Sequence, residues 1–354
     1  MKQNDSLPTV AVPLRAAPLC PVFGQCGGCQ HQDIPYSEEL VMKEMSLRRM
    51  FRDALGVGEE VFDPIVPSPK EYHYRHRVDL RLLRTKSGEI FIGFTPEGKP
   101  NVVPIQACPI SMPAVSDSIP RVKEEAVGKL KEKHRNANLV VRTGDDGRVL
   151  WGGVGRRSLR LEEADYLWTE VEGRRIHFSL DTFFQANLSI LPALMDNIRS
   201  LAVLDHETVL LDLYGGVGLF GVVFHPAVKK TILIESDVHS VRLAQHNKGF
   251  HHMDGFEVVQ GRVEEALPSA LAALSGEKIT AMIDPPRAGL SETALECVAS
   301  SAGLNRLLYL SCHPETLVRD LAGFCARGWT MSRVIPFDFF PKTRHLETLV
   351  LLRR

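Results

Sequence analysis

Several side chains able to do covalent or acid–base chemistry stand at the ends of short apolar runs in the second half of this chain. Cys312 lies in L-L-Y-L-S-C-H-P-E-T (307–316), where Leu307–Leu310 reads as a buried strand and Glu315 onward as a helix with Pro314 in its first turn. A cysteine between a strand's carboxyl end and a helix N-terminus sits where open α/β sheets keep their chemistry. The helix's positive end is expected to favour a thiolate there. Taken alone, the segment reads equally well as a small buried hydrophobe. The other strand ends tip the balance. Asp212 and Glu235 close two apolar runs about twenty residues apart, Asp284 opens D-P-P-R, and His345 and Glu347 lie in T-R-H-L-E-T near the C-terminus.

Between Asp212 and Glu235 runs D-L-Y-G-G-V-G-L-F-G, in which Gly216, Gly218 and Gly221 spell G-x-G-x-x-G. Such a turn lets backbone approach a ligand at the mouth of a sheet, and an acid about twenty residues on can hold two ribose hydroxyls. An adenosine-type cofactor is therefore expected, with Asp212 within its reach. The two prolines after Asp284 stiffen the loop and fix that carboxylate in place.

A second set of cysteines lies near the other end. Cys20, Cys26 and Cys29 form C-x5-C-x2-C in a glycine-rich stretch, and Cys108 is the remaining nearby thiol. Glycines allow three sulfurs to converge and leave amides free to point at them. Four thiolates suit tetrahedral zinc or a [4Fe–4S] cluster; three sulfurs plus a distant fourth favours iron–sulfur over the paired C-x2-C of zinc.

These groups need elements to position them. The chain has 354 residues, 44% hydrophobic and 24% charged, with a formal net charge of -1, which fits a soluble protein of two or three domains. No run reaches membrane-spanning length and the start MKQNDS has no signal-peptide pattern, so a cytoplasmic protein is expected. Residues 1–18 read as loose. Residues 36–55 read as an amphipathic helix with Ser37 as N-cap and Leu40, Leu47, Phe51 and Leu55 on one face. After a proline-rich linker at 63–70 comes Y-H-Y-R-H-R-V-D-L-R-L-L-R, with Val78, Leu80 and Leu82 alternating as in a half-buried strand. Its basic residues (Lys70, Arg75, Arg77, Arg81, Arg84, Lys86) interleave with Tyr72, His73, Tyr74 and His76. That mixture suits phosphate neutralisation and base stacking, though a solvated sheet face has the same pattern. Strands are expected at 90–94, 139–142 and 149–152, and a helix near 116–134.

From Phe183 strands alternate with helices: 209–213, 231–235, 257–260, 279–284 and 307–310, with a last run at 346–352 and no helix after it. This is the pattern of a parallel, doubly wound sheet. If the last strand runs antiparallel, His345 and Glu347 fall at the same edge as Cys312. Three units follow: 1–58, a cysteine segment with its helix; 59–178, a β-rich unit that also supplies Cys108; and 179–354, the doubly wound domain.

With these motifs in order the chain resembles the S-adenosylmethionine-dependent RNA uracil-C5 methyltransferases, in particular the iron–sulfur branch acting on 23S ribosomal RNA. The resemblance runs from C-x5-C-x2-C through F-F-Q-A-N, D-L-Y-G-G-V-G, I-D-P-P-R-A-G and S-C-H-P-E-T to H-L-E-T. It implies a class I Rossmann-like methyltransferase domain preceded by a β-rich domain and an iron–sulfur segment. It further implies Cys20, Cys26, Cys29 and Cys108 on a [4Fe–4S] cluster; Gln185, Tyr214, Glu235 and Asp284 around S-adenosyl-L-methionine; Cys312 as nucleophile; and Glu347 as base. RNA is the implied partner, with ribosomal RNA ahead of transfer RNA. Three departures stand out: Leu219 where a polar residue is usual, Gly215 for a common cysteine, and His313 for the asparagine that meets the uracil edge. The N-terminal RNA-binding barrel (TRAM) of many relatives is expected to be absent. A nicotinamide-dependent oxidoreductase would leave S-C-H-P and H-L-E-T without a role, and a catalytically inactive RNA-binding relative has only Leu219 and His313 in its favour.

Overall fold

The computed structural model describes residues 16–96, 98–99, 101–129, 135–153 and 162–354. Helix α1 (Tyr36–Leu55) follows the cysteine segment. Its N-cap is Pro35, not Ser37, and no side chain caps it; its two acids in the first turn and the left-handed Gly56 at its end set its limits. Leu47 and Phe51 are buried as the periodicity predicts, but the inward stripe also contains Glu39 and Lys43.

The middle of the chain forms a five-stranded antiparallel sheet in the order β3-β2-β1-β4-β5. Its strands are β1 (Arg77–Arg84), β2 (Ile90–Phe94), β3 (Val103–Pro104), β4 (Asn136–Thr143) and β5 (Val149–Gly153). Helix α2 (Pro113–Lys129) covers one face, and Val78, Leu80, Leu82, Val115, Ile119 and Val122 share the core beneath it. The part of the expected helix at 130–134 and the expected loose residues 1–15 lie outside the described residues. Two of the four rings proposed for RNA stacking are buried: Tyr74 in this interior, and His76 against Phe178 and Phe184 of the C-terminal core. They are core side chains.

A hairpin, β6 (Leu167–Val171) and β7 (Arg174–Phe178), comes next; its alternation was not singled out in the sequence. Leu167, Ile176 and Phe178 pack with the helices of the C-terminal sheet, and Phe178 also meets the five-stranded sheet through Arg142 of β4, whose guanidinium lies 4.3 Å from its ring. That C-terminal half contains α3 (Leu191–Ala202), β8 (Thr208–Leu213), α4 (Leu219–Phe224), β9 (Lys230–Glu235), α5 (Val238–Phe250), β10 (Phe256–Gln260), α6 (Val263–Ala272), β11 (Lys278–Ile283), α7 (Glu292–Ala299), β12 (Leu304–Ser311), α8 (Pro314–Cys325), β13 (Thr330–Phe337) and β14 (Glu347–Arg353). The strands form one sheet in the order β10-β9-β8-β11-β12-β14-β13. β8 to β12 are mutually parallel, and β14 inserts antiparallel between β12 and β13, pairing Ser311 with Thr348. β8 is buried at every position and β14 at all but the last, as expected of central strands covered on both faces. Helix α1 joins this core, with Leu47 and Phe51 packed among residues of β8, β12 and α8.

β13 was not expected. A register shift between Met331 and Arg333 breaks its alternation, and Pro336 cannot donate to a ladder. Both are tolerated because β13 is the sheet's edge. The proline-rich linker lies along it: Asp63 and Val66 donate to the carbonyls of Val334 and Pro336, and Asp338 donates back to Val66.

Candidate active site

The carboxyl edge of the parallel strands gathers most of the candidate residues. The β8–α4 turn needs backbone few residues adopt: Tyr214, Gly216 and Gly218 all have positive φ. At Gly215 a Cβ would come within 2.5 Å of the Leu233 side chain, so glycine here follows from close packing against β9. The Glu235 carboxylate is anchored, accepting from the amides of Gly216 (3.0 Å) and Asp237 (2.7 Å). Tyr214 and Glu235 line a cavity of about 400 Å³, along with Arg262, Glu264, Pro286 and Ser291. Tyr214 and Glu235 were expected there, and Pro286 belongs to the D-P-P-R motif; Arg262, Glu264 and Ser291 were not expected, since nothing in their local sequence marks them out.

Asp212 sits elsewhere than expected. It is buried under the turn, where Oδ2 accepts from the Gly221 amide at 2.8 Å, and burial pushes its carboxyl up to about 8. It braces the glycine turn and does not line the cavity. Leu219, the first residue of α4, is part of the core.

Gln185 and Asp284 form a second group, with Gln185 Nε2 donating to Asp284 Oδ2 at 3.0 Å. Neither lines the 400 Å³ cavity. Burial raises the Asp284 carboxyl to about 7. Glu347, the first residue of β14, is 4% exposed and its Oε2 has no hydrogen-bond partner. Burial and then the Asp284 charge drive its carboxyl well above the ordinary carboxylate range, while Arg287 opposes them. Cys312 feels the same neighbours. Burial, Glu347 and Asp284, in that order, push its thiol from 9.0 up to about 12 against the pull of Arg287. The thiolate expected from the adjoining helix is therefore not favoured in the free site. The helix begins only at Pro314, and desolvation with two carboxylates outweighs it. Arg287, inside a motif already noted, is the charged residue the sequence did not single out. Its Nη2 lies 3.1 Å from Nδ1 of His345, whose imidazole burial and Arg287 drive down to about 4. His313 Nδ1 lies 3.3 Å from a Glu315 oxygen and from Thr316 Oγ1. Cys312, Asp284, Glu347 and Arg287 thus form one electrostatic unit able to hold a nucleophile and a proton acceptor side by side.

The other cysteines also converge. Cys20, Cys26, Cys29 and Cys108 line one cavity of about 150 Å³ with Arg75 and Asp79 beside them. The Val22 amide donates to Cys20 sulfur and the Gly28 amide to Cys26 sulfur, as the glycine-rich spacing suggested. Burial, and repulsion between the sulfurs, raise the Cys29 thiol to about 12. Such a set is poorly suited to bearing four negative charges unless a cationic centre offsets them. Among the described residues no three His, Cys, Asp or Glu side chains are gathered closely enough to hold a metal ion. The sulfurs ring a cavity instead of meeting at one point.

A mixed sheet with its seventh strand antiparallel, a glycine turn and an anchored acid defines the class I Rossmann-like methyltransferase fold. The profile described as tRNA (Uracil-5-)-methyltransferase matches residues 154–354, more than half of the chain, and the chain belongs to that family. It is an S-adenosylmethionine-dependent RNA methyltransferase of the uracil-C5 type. An RNA methyltransferase of Thermosynechococcus vestitus is 28% identical over 96% of this chain and 84% of its own. The 23S rRNA (uracil(1939)-C(5))-methyltransferase of Aliivibrio salmonicida is 25% identical, covering 96% of this chain and 83% of its own. The crystal structure of Pyrococcus abyssi tRNA (uracil-54, C5)-methyltransferase with S-adenosyl-L-homocysteine superposes with a TM-score of 0.72 at 22% identity, over 92% of this chain and 85% of that one. Among the described residues no helix is long and apolar enough to cross a membrane.

Proposed function

We propose that this protein methylates C5 of a uridine in 23S ribosomal RNA through a covalent adduct at Cys312, with Glu347 removing the C5 proton. The observation that carries the reading is the electrostatic unit of Cys312, Asp284 and Glu347 at the sheet edge that also bears the Tyr214–Glu235 cavity. S-adenosylmethionine, when bound, supplies a methyl group on a positively charged sulfur. Tyr214 and Glu235 are assigned to its adenosine end, and Gln185 and Asp284 to its reacting end.

The uracil ring must first be unstacked and swung into the crevice. Cys312 and Glu347, both protonated in the free site, give up their protons to solvent; the Cys312 thiolate then adds to C6, and the C5=C6 electrons move onto C5 and O4. C5 accepts the methyl group as the bond to the donor sulfur breaks. The Glu347 carboxylate takes the C5 proton, C5=C6 re-forms and the Cys312 thiolate leaves. Covalent addition divides a hard substitution into easier steps, and the base completes it. The desolvated Glu347 carboxylate is a stronger base than an exposed one. His313, after the nucleophile, is assigned to the uracil edge, where an imidazole can donate or accept. The basic run from Lys70 to Lys86, taken as a whole, is assigned to RNA phosphates.

Cys20, Cys26, Cys29 and Cys108 are proposed to hold a [4Fe–4S] cluster; their common cavity and the amides aimed at sulfur support this, and it is also the feature that favours ribosomal RNA. Its place is in binding and orienting RNA, outside the methyl-transfer steps. Anaerobic protein should carry about four irons, and Cys108→Ser should lose them.

The test uses RNA tritiated at uracil C5, incubated with S-adenosylmethionine. Tritium release to water that Cys312→Ala abolishes, with Glu347→Gln trapping the adduct, is the expected result. Methyl incorporation without tritium release would overturn the mechanism. Release from transfer RNA alone would move the substrate to the runner-up class, as in the Schizosaccharomyces pombe tRNA (uracil(54)-C(5))-methyltransferase, 28% identical over 95% of this chain and 65% of its own. Neither signal on either RNA would favour a binding-only relative.

A further inference from the structure

The segment 338–346, which leads from β13 to Glu347, is tied to the first forty residues of the chain. Lys342 holds a left-handed conformation (φ 67°) that a residue with a side chain rarely adopts. Its amide donates to Glu39 Oε1 at 2.7 Å. Its carbonyl accepts from the amides of Gln30 (3.0 Å) and His31 (3.1 Å), and the Arg344 amide donates to Gln30 Oε1 at 3.1 Å. Gln30 directly follows Cys29, and Glu347 lies five residues beyond Lys342.

Beneath this turn is a cluster of buried charge. Glu39 and Asp338 are fully buried and Lys43 and Lys342 nearly so. Lys43 Nζ lies between Glu39 Oε1 (2.8 Å) and Asp338 Oδ1 (2.7 Å), and Lys342 Nζ reaches Glu39 Oε2 (3.7 Å) and Glu71 Oε2 (3.0 Å). Desolvating such charges returns little net stability, and apolar residues of the same volume often do as well. What the cluster does supply is a single place for the turn. Glu39 touches both halves of it, the lysine ammonium groups below and the Lys342 amide above.

We propose that Glu39 is a positioning residue for Glu347, and that docking of the cysteine-bearing segment on the 338–346 turn sets the proton-removal step. The proposal rests on the assignment of Glu347 as base. It gives the cysteine segment an effect on catalysis without any redox step: whatever fixes Cys29 fixes the Gln30 and His31 amides that hold the turn.

Two substitutions of similar volume separate positioning from bulk stability. Glu39→Gln and Glu39→Leu both leave Lys43 opposite Asp338 and Lys342 opposite Glu71, but only glutamine keeps an oxygen for the Lys342 amide. In single turnover, Glu39→Leu should form the Cys312–RNA adduct at the wild-type rate and release it about tenfold more slowly, with Glu39→Gln restoring release. Gln30→Ala, a change near the surface, should shift release the same way by about threefold. It carries the test if the leucine variant does not fold. A loss spread equally over both steps, in step with a lowered melting temperature, would overturn the proposal. Amide hydrogen exchange provides a readout without substrate. Exchange in 340–347 should quicken in Gln30→Ala and in Cys29→Ser, and unchanged exchange in both would overturn the proposal. A wild-type protein that forms no adduct would instead remove the Cys312 assignment, leaving exchange to decide this one.

Discussion

Replacing Asp284 by asparagine should make Cys312 more reactive toward a simple alkylating agent while slowing methyl transfer. The Cys312 thiol stands at about 12 because burial comes first, then Glu347, then Asp284, with only Arg287 pulling the other way. At pH 8 this leaves roughly one thiol in ten thousand ionised. The charge of Asp284 is the smaller of the two carboxylate contributions. Removing it should lower the thiol by about one pH unit, a tenfold gain in thiolate. Asp284 itself is pushed up to about 7, so it carries its charge only above neutrality. The ratio of variant to wild-type alkylation should therefore be about tenfold near pH 8.5 and fall towards one near pH 5.5. The assay is timed iodoacetamide labelling of the free protein, with digestion and mass spectrometry of the Cys312 peptide, normalised to exposed Cys325. Arg287→Met should move the rate in the opposite direction. An Asp284→Asn rate equal to or below the wild type at pH 8.5 would refute the electrostatic account of the crevice.

Asp212→Asn should change how stability depends on pH. The folded carboxyl stands at about 8 against an ordinary 3.8, so its protonated form favours folding; that stability is full below about pH 4 and is lost as pH rises towards 8. Asparagine keeps an acceptor for the Gly221 amide and takes on no charge. At pH 9 the variant should be more stable than the wild type by on the order of 1–3 kcal/mol and melt at a higher temperature, and a lower melting temperature would contradict this. Gly215→Ala should destabilise by about 1–3 kcal/mol, because its Cβ would meet Leu233 Cγ at 2.5 Å on a buried strand. Combining it with Leu233→Ala should cost less than the sum of the two single changes, measured by urea unfolding.

The parts of the site that the sequence made legible are those where one residue's neighbours are set by chain order. Glu235 could be placed because a strand end and a glycine turn fix it, and Glu347 because an antiparallel last strand begins where the parallel ones end. The expected strands of the C-terminal half appear within about three residues of their limits, since continuous apolar runs mark strands covered on both faces. β13 was missed because an edge strand can carry a bulge and a proline that a central strand cannot. The thiolate at Cys312 was wrongly expected because the helix end is written locally, whereas burial and the repulsion from Glu347 and Asp284 depend on three strands meeting. Asp212 was misplaced for a related reason. A strand-terminal acid can turn either outward to a ligand or inward to a backbone amide, and only the packed turn distinguishes them. Tyr74 and His76 show the reverse error: aromatic residues beside arginines suggest stacking on RNA, yet both are interior.

The linker laid along β13 has a consequence for how this molecule is made. Phe62 and Val66 bridge to Val334 and Phe337, partners synthesised some 270 residues later. β14, which must slot between β12 and β13, is synthesised after both of them. Until β13 is made the linker waits without its partner, and until β14 is made β12 presents a bare row of amides and carbonyls. Closure then joins segments some 270 residues apart, the kind of long-range pairing that folds slowly. A fragment beginning at residue 179 would keep the whole sheet but lose the strip that shields its edge. It would therefore be inclined to pair with its own copies, and the linker strip at 62–66 serves as the catalytic half's built-in guard against self-association.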